Sequence, residues 1–193
     1  AMETDGRRWT VLLDEAHNLP ARARDMYSGT LAKAAVLQVK STVSGELAKC
    51  LTRINQQLLA LQKRNWSEPD FDTSENLPTD LIEAAQGFTL AVSDQLASEP
   101  FLLQRHPQLM ELYFQVLQFL RVAEQWDKDY RLQLTRDADR QSLCVNLNCL
   151  DPARLLAARH SSAHAVVSFS ATLSPLPWLH AALGMDERAV CSR

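Results

Sequence analysis

The chain has 193 residues, of which 46% are hydrophobic and 22% charged, and its formal net charge is −3. This balance is typical of a globular protein of one ordinary domain or two small ones, and it excludes collagen-like and disordered chains. No apolar run approaches the roughly 20 residues of a membrane span, so we expect no membrane partner. The first residues lack the basic and apolar segments of a signal peptide. The negative charge also argues against a domain that attracts nucleic acid through its bulk charge.

The first predicted element is a short strand over residues 9–13, an apolar run that ends at Asp14 and Glu15. Such a run is typical of a buried strand in a parallel sheet. A helical pattern follows over residues 28–65, with an interruption at Gly45 that indicates a kink or a joint between two helices. Residues 66–78 contain two prolines and four acidic residues, which predict an exposed loop.

The second half of the chain predicts helices first and a mixture of elements afterwards. Helices are expected over residues 79–97 and about 107–127, and alternating apolar residues over 130–134 and 143–147 predict a hairpin. Asp151 and Pro152 are typical of a helix start, a second buried strand is expected over 165–169, and Gly184 ends a last short helix. The two buried strands enclose the helical part, as an insertion into an α/β sheet would. We therefore expect a fold that is mainly α with a small β part.

The four cysteines of the chain form no C-x-x-C pair and have no histidine at a zinc-finger distance. We interpret them as free thiols of a reducing compartment.

The sharpest local feature is the tetrapeptide Asp14-Glu15-Ala16-His17, which directly follows the first predicted strand. Phosphoryl transfer requires a carboxylate to hold Mg²⁺ and a second polar group to orient the attacking water. The adjacent Asp14 and Glu15 can divide these tasks, because ligands bind at the carboxyl edge of open α/β sheets. Alternatively, both acids only occupy the first turn of the following helix, where the helix dipole favours negative charge.

Three short segments occur in order along the chain: residues 11–19 (VLLDEAHNL), 147–152 (LNCLDP) and 168–176 (SFSATLSPL). They resemble, in turn, the Walker B segment (motif II), the turn before motif III, and motif III of superfamily 2 DNA helicases of the XPD/DinG type. Three ordered matches over most of the chain are much more specific than any single one.

The resemblance implies a role for each matching residue. Asp14 would bind Mg²⁺ through water, Glu15 would polarise the hydrolytic water, and His17 would help to couple the nucleotide site to DNA-binding movements. The motif that links hydrolysis to strand separation would comprise Ser170, Ala171 and Thr172. Taken alone, Ser170 and Thr172 are more simply explained as ordinary polar residues at the end of a strand.

The resemblance also implies a domain organisation and cofactors. Residues 1–27 and 141–193 would be strands and short helices of a RecA-like α/β motor domain, and residues 28–140 a helical arch-type insert. The parent protein would use ATP and Mg²⁺, and any iron–sulfur cluster would lie outside this chain. The chain contains no G-x-x-x-x-G-K-[ST] segment, so we expect it to hydrolyse no ATP by itself.

Lys63, Arg64 and Trp66 are the clearest candidates for DNA contact. A base could stack on the indole of Trp66 while the two cations hold phosphates. The alternative is an ordinary solvated helix end with one packed tryptophan.

The sequence therefore predicts the arch domain and flanking motor strands of an ATP-dependent 5′–3′ DNA helicase of DNA repair or replication. Its partners would be single-stranded or forked DNA and, on the arch, other proteins. It would be cytoplasmic in a bacterium and nuclear in a eukaryote. A rival interpretation is a helical protein-interaction domain with idle DEAH residues, and the acidic loop at residues 68–75 favours that rival. An unrelated helical bundle does not explain three ordered matches.

Overall fold

The structure is a computed structural model that describes residues 9–136, 142–171 and 175–185. Within these residues the protein is mainly α-helical with a small β part, as the sequence predicts. In chain order the elements are β1 (Thr10–Leu13), a 3₁₀ turn (Ala16–Asn18), α1 (Leu19–Met26), β2 (Gly29–Ala32), α2 (Lys33–Lys40), α3 (Gly45–Gln62), β3 (Phe71–Ser74), α4 (Thr79–Ser98), α5 (Leu102–Arg105), α6 (Pro107–Ala123), β4 (Tyr130–Arg136), β5 (Leu143–Cys149), α7 (Ala153–Ser161), β6 (Ala165–Ser168) and α8 (Leu176–Ala182).

The chain divides into two compact units. Unit 1 comprises residues 1–27 and 149–193, and unit 2 comprises residues 28–148. The sequence places the end of the insert at residues 140 and 141, which lie outside the described residues. The chain instead returns to unit 1 after Asn148, because β5 pairs with β2 inside unit 2.

Unit 2 is built on a four-stranded sheet with the strand order β2-β5-β4-β3. β2 pairs with β5, and β3 with β4, in antiparallel register. Along β4 and β5 every second side chain is buried, which confirms the alternation that predicts the hairpin. The buried side chains of these two strands are Tyr130, Leu132, Leu134, Leu143, Val145, Leu147 and Cys149.

The helices of unit 2 form its core. α3 packs against α2 and α4, α4 packs against α6, and α6 packs against β2. Ile54, Leu58, Phe88 and Phe119 are fully buried at these contacts. Burying a large apolar side chain stabilises a fold by about 1.5–3 kcal/mol. Most of the buried apolar residues in the described part of the chain lie in unit 2, so the main hydrophobic stabilisation is there.

Two predictions of local structure in unit 2 are wrong. β2 begins the stretch that the sequence predicts to be helical throughout, and Leu31 is buried as a strand residue. β3 lies inside the predicted exposed loop and pairs with β4 from Phe71 to Ser74. Both strands have four residues, and their pairing partners are distant in the chain, so local periodicity does not identify them. The interruption at Gly45 is a joint, since α2 ends at Lys40 and α3 begins at Gly45.

Unit 1 contains β1 and β6, which form a parallel pair with Thr10 opposite Ala165 and Leu13 opposite Ser168. Ala16, Leu179 and Leu183 form a small buried cluster beside these strands. The predicted helix start is confirmed to within one residue: Pro152 is the N-cap of α7, and Oδ1 of the preceding Asp151 accepts a hydrogen bond of 2.9 Å from the amide of Ala153.

The expected burial of these two strands is wrong for the described residues. Leu12 is 66% exposed and Val167 48% exposed, since the small cluster of unit 1 covers one side of the pair. A strand of a parallel sheet is normally covered on both faces. Two aromatic residues, Phe114 and Trp178, are likewise exposed, at 57% and 56%, although large aromatic side chains are usually well covered.

Among the described residues, Cys50, Cys144 and Cys149 form no disulfide bond, and Cys191 lies outside these residues. None of the helices in the described ranges combines the length and apolar character that a bilayer span requires.

Candidate active site

The DEAH tetrapeptide lies directly after β1, at the carboxyl end of the parallel pair. The pairing continues past the strands, because the amide of Phe169 donates to the carbonyl of Leu13 over 3.0 Å. The amide of Ala16 in turn donates to the carbonyl of Phe169 over 3.2 Å. These two bonds hold the segment after β1 against the segment after β6. The parallel pairing therefore brings the predicted motif II and motif III residues to one edge.

At that edge Glu15, His17 and Ser170 form one hydrogen-bonded cluster. Nδ1 of His17 lies 2.7 Å from Oγ of Ser170, although the residues are 153 positions apart in the chain. The same nitrogen lies 3.1 Å from Oε2 of Glu15. The Ser170 hydroxyl donates to this carboxylate oxygen over 3.3 Å. The Ser170 hydroxyl has a single proton to donate. When it donates to Glu15, its Oγ must accept the hydrogen bond from His17, so the ring proton of His17 is then on Nδ1.

The backbone at Glu15 is strained. Its φ of 50° and ψ of 45° are left-handed, and it is the one non-glycine residue with positive φ in the described part of the chain. This conformation costs about 1–2 kcal/mol for a residue with a side chain. Oδ1 of Asp14 accepts a bond of 2.8 Å from the Glu15 amide and thereby supports the turn. Strain of this kind concentrates at functional sites, so Glu15 is a candidate in its own right.

Asp14 and Glu15 are the side chains that fit a divalent cation. Both are exposed carboxylates in adjacent positions at the strand end. Mg²⁺ is usually held by one or two carboxylates while substrate phosphates and water complete its shell. Across residues 9–136, 142–171 and 175–185, no group of three or more His, Cys, Asp or Glu side chains could hold a metal ion.

Of the other two residues in the predicted coupling motif, the structure describes one. Ala171 is exposed and follows Ser170 at the same edge. Thr172 lies outside the described residues. Ser170 is therefore the member of this motif whose contacts with the DEAH residues can be described.

The predicted DNA-contact residues lie at the end of α3 in unit 2. Lys63 and Arg64 are exposed there. The indole nitrogen of Trp66 donates to the carbonyl of Leu61 over 3.1 Å. One face of its ring is covered by the guanidinium of Arg136, whose Cζ lies 3.9 Å from the ring centre. A base cannot stack on that face while Arg136 remains there, so the geometry favours the packed alternative for Trp66.

Sequence reasoning misses Arg136 because this residue lies between the two apolar runs, 130–134 and 143–147, that predict the hairpin. Arg136 is the last residue of β4, and it donates to the carbonyls of Pro69 and Gln62 over 2.9 Å and 3.3 Å. These bonds hold the residues after α3 against the sheet. The one signal in the sequence is its position, since Arg136 stands where the alternation of Tyr130, Leu132 and Leu134 would place the next inward-facing residue.

No protein-family model matches this chain, and no curated protein sequence matches it. A functional assignment therefore depends on the ordered motifs and on the geometry of the residues that they contain.

Proposed function

We propose that this chain is part of the motor of an ATP-dependent 5′–3′ DNA helicase of the XPD/DinG type. Unit 1 would contribute motifs II and III to a RecA-like domain, and unit 2 would be the arch-type insert that contacts single-stranded or forked DNA. The observation that carries the proposal is the cluster of Glu15, His17 and Ser170. Residues of two motifs that are more than 150 positions apart share hydrogen bonds at one strand edge.

In this proposal each side chain of the cluster has a distinct task. The Glu15 carboxylate accepts a hydrogen bond from the attacking water, which orients the water and makes its oxygen more nucleophilic. The Asp14 carboxylate holds the metal through water. A bound Mg²⁺ would neutralise charge on the nucleotide phosphates. His17 joins the Glu15 carboxylate to Ser170, so a shift at one residue changes the hydrogen bonds of the other two.

The link between the motifs is tested with Ser170→Ala in the full-length helicase. This change removes the hydroxyl that bonds both His17 and Glu15. Coupling energies between sites are typically 1–3 kcal/mol, so we expect DNA unwinding per ATP hydrolysed to fall by about 5–150-fold. Strand displacement and ATP hydrolysis are measured on the same samples.

The matched control is Ser168→Ala, two residues earlier on β6. The side-chain oxygen of Ser168 is buried and has no hydrogen-bond partner among the described residues. This variant should unwind DNA with the wild-type yield per ATP. Equal losses in both variants, or no loss in Ser170→Ala, would contradict the proposed coupling.

DNA contact by unit 2 is tested with the double variant Lys63→Ala/Arg64→Ala. Each phosphate contact contributes roughly one to the slope of log affinity against log salt, so we expect the slope to fall by about two. Single-stranded oligonucleotide binding is measured by fluorescence anisotropy over a salt series. The charge-matched control is Lys49→Ala/Arg53→Ala on α3, where Lys49 is paired with Glu46 at 3.1 Å. If the two double variants changed the salt slope equally, only the total charge would matter, and a specific DNA contact at Lys63 and Arg64 would be contradicted.

A second candidate function is protein recruitment by unit 2. Met110 and Phe114 lie one turn apart on α6 and are 37% and 57% exposed. Exposed apolar residues at this spacing are typical of a helix face that receives a partner. The net charge of −3 also suits a protein partner better than a nucleic acid. Retained helicase activity in Phe114→Ala, together with loss of a co-purifying protein, would favour this function.

A further inference from the structure

The strand β3 lies at one edge of the sheet of unit 2, because the strand order is β2-β5-β4-β3. One side of β3 pairs with β4, and no strand of the described residues pairs with its other side. The free side of an edge strand presents backbone N–H and C=O groups that a further extended chain can bond. The outer edge of β3 is therefore a template for the addition of a strand.

The register of β3 shows which of its backbone groups face outward. The Arg136 amide donates to the carbonyl of Asp70 over 2.9 Å, and Phe71 lies opposite Thr135. In an antiparallel pair, residues that bond the neighbouring strand alternate with residues whose N–H and C=O point away from it. Phe71 and Thr73 therefore direct these groups to the free edge. Both residues are exposed, and Phe71 is 44% accessible, so an incoming chain can reach them.

The charge along this edge is negative. Residues 67–76 contain four acids and neither Lys nor Arg. Glu75 is neutralised by Arg131 of β4, whose guanidinium lies 2.8 Å from the carboxylate. Glu68 and Asp72 form no ion pair with any residue that the structure describes. An extended chain with basic side chains therefore suits this edge better than an acidic one.

A second copy of the same edge is a poorer occupant. Pairing of β3 with β3 of another molecule would bring two acidic segments together, and like charges across a strand pair are destabilising. The cations that precede the segment, Lys63 and Arg64, follow the end of α3 and do not belong to the edge strand. The charge of β3 thus favours a different, basic chain over self-association.

We propose that the outer edge of β3 binds an extended, basic segment of a partner protein as an additional strand. The backbone of this segment would bond the outward N–H and C=O groups of Phe71 and Thr73, and its basic side chains would lie near Glu68 and Asp72. The inference concerns unit 2 alone and does not depend on the proposed helicase function. It also uses a surface different from the exposed face of α6.

The test is the binding of a fluorescent peptide of alternating valine and arginine to the full chain, measured by anisotropy. A peptide of alternating valine and glutamate is the charge control and should bind at least about 10-fold more weakly. Amide hydrogen exchange at Phe71 and Thr73 should slow when the arginine peptide binds, because both amides become hydrogen-bonded. Equal binding of the two peptides, or protection that does not include these two amides, would overturn the proposal.

The backbone contact is tested with Thr73→Pro. This change removes an outward N–H and places a ring at the free edge, so it should weaken binding of the arginine peptide at least about 10-fold. The Thr73 amide points away from β4, so the pairing of β3 with β4 should persist, and hydrogen exchange of β4 peptides verifies this. Thr73→Val is the matched control, since it keeps the N–H and should bind as the wild type does. Wild-type affinity in Thr73→Pro would contradict strand addition.

The charge contact is tested with Asp72→Asn, which leaves the backbone unaltered. Binding of the arginine peptide should weaken about 2–5-fold at low salt, and the difference should vanish at high salt. Asp94→Asn, at an exposed position of α4, is the control and should bind as the wild type does. Lys63→Ala/Arg64→Ala should bind the peptide at least as tightly as the wild type, because it removes positive charge.

Three outcomes of these experiments would exclude a basic partner segment. The first is an equal loss in Asp72→Asn and Asp94→Asn, and the second is weaker peptide binding by Lys63→Ala/Arg64→Ala. The third is a dimer of the chain that Thr73→Pro dissociates, because the edge would then serve a second copy. Sedimentation of the wild type and of Thr73→Pro at the same concentrations measures this last outcome.

Discussion

If the proposed helicase function is right, replacing Glu15 by glutamine lowers DNA-stimulated ATP hydrolysis by the full-length protein at least about 100-fold. Glutamine has the size and shape of glutamate, so the turn after β1 should persist. The amide carries no negative charge, and it cannot polarise the attacking water as a carboxylate does. The side chain of Glu15 is 57% exposed at the strand edge, where a nucleotide can reach it. Hydrolysis is measured by phosphate release at saturating ATP and DNA.

Nucleotide binding separates this catalytic role from a structural one. Glu15→Gln should bind a fluorescent ATP analogue as tightly as the wild type, because Asp14 remains to hold the metal. Glu46→Gln is the matched control, since Glu46 is an exposed glutamate of α3 in unit 2. It should hydrolyse ATP normally. Retained turnover in Glu15→Gln, or a parallel loss of nucleotide binding, would remove Glu15 from the catalytic role.

Replacing Gly184 by alanine is expected to destabilise unit 1 by about 2–4 kcal/mol. Gly184 has a φ of +62°, which side-chain-bearing residues adopt at a cost. A Cβ atom at this position would clash with the carbonyl oxygen of Ala153 and would lie 2.9 Å from the amide nitrogen of Ala157. Both atoms belong to the backbone of α7, so relief requires that α7 or the end of α8 moves.

Hydrogen–deuterium exchange localises this effect, because each unit can be followed through its own peptides. Peptides from α7 and α8 should lose protection in Gly184→Ala, while those from α3 and α4 should keep it. Gly87→Ala is the control: Gly87 lies inside α4, and a Cβ there would meet nothing within 4 Å. That variant should gain about 0.5–1 kcal/mol, since alanine is the better helix former. Unchanged exchange in Gly184→Ala would contradict the close packing described here.

Several elements follow from the sequence because their signals are local. The periodic apolar residues of α4 and α6 predict helices whose starts, Thr79 and Pro107, agree with the structure. The period of two in β4 and β5 predicts both the hairpin and its buried face. The helix start next to Asp151 and the stop at Gly184 also depend on residues within one turn. Signals of this kind need no knowledge of distant parts of the chain.

Contacts between distant residues were decided by the tertiary structure alone. β2 is a strand because it pairs with β5, and β3 is a strand because it pairs with β4. Local periodicity does not reveal pairing with a distant segment. The sequence likewise does not predict that Trp178 is exposed or that Arg136 covers one face of Trp66. The exposure of a side chain depends on which elements pack against it. The sequence identifies Glu15, His17 and Ser170 as candidates through their motifs. Their hydrogen bonds across 153 and 155 positions require the parallel pairing of β1 and β6, and that pairing is a property of the fold.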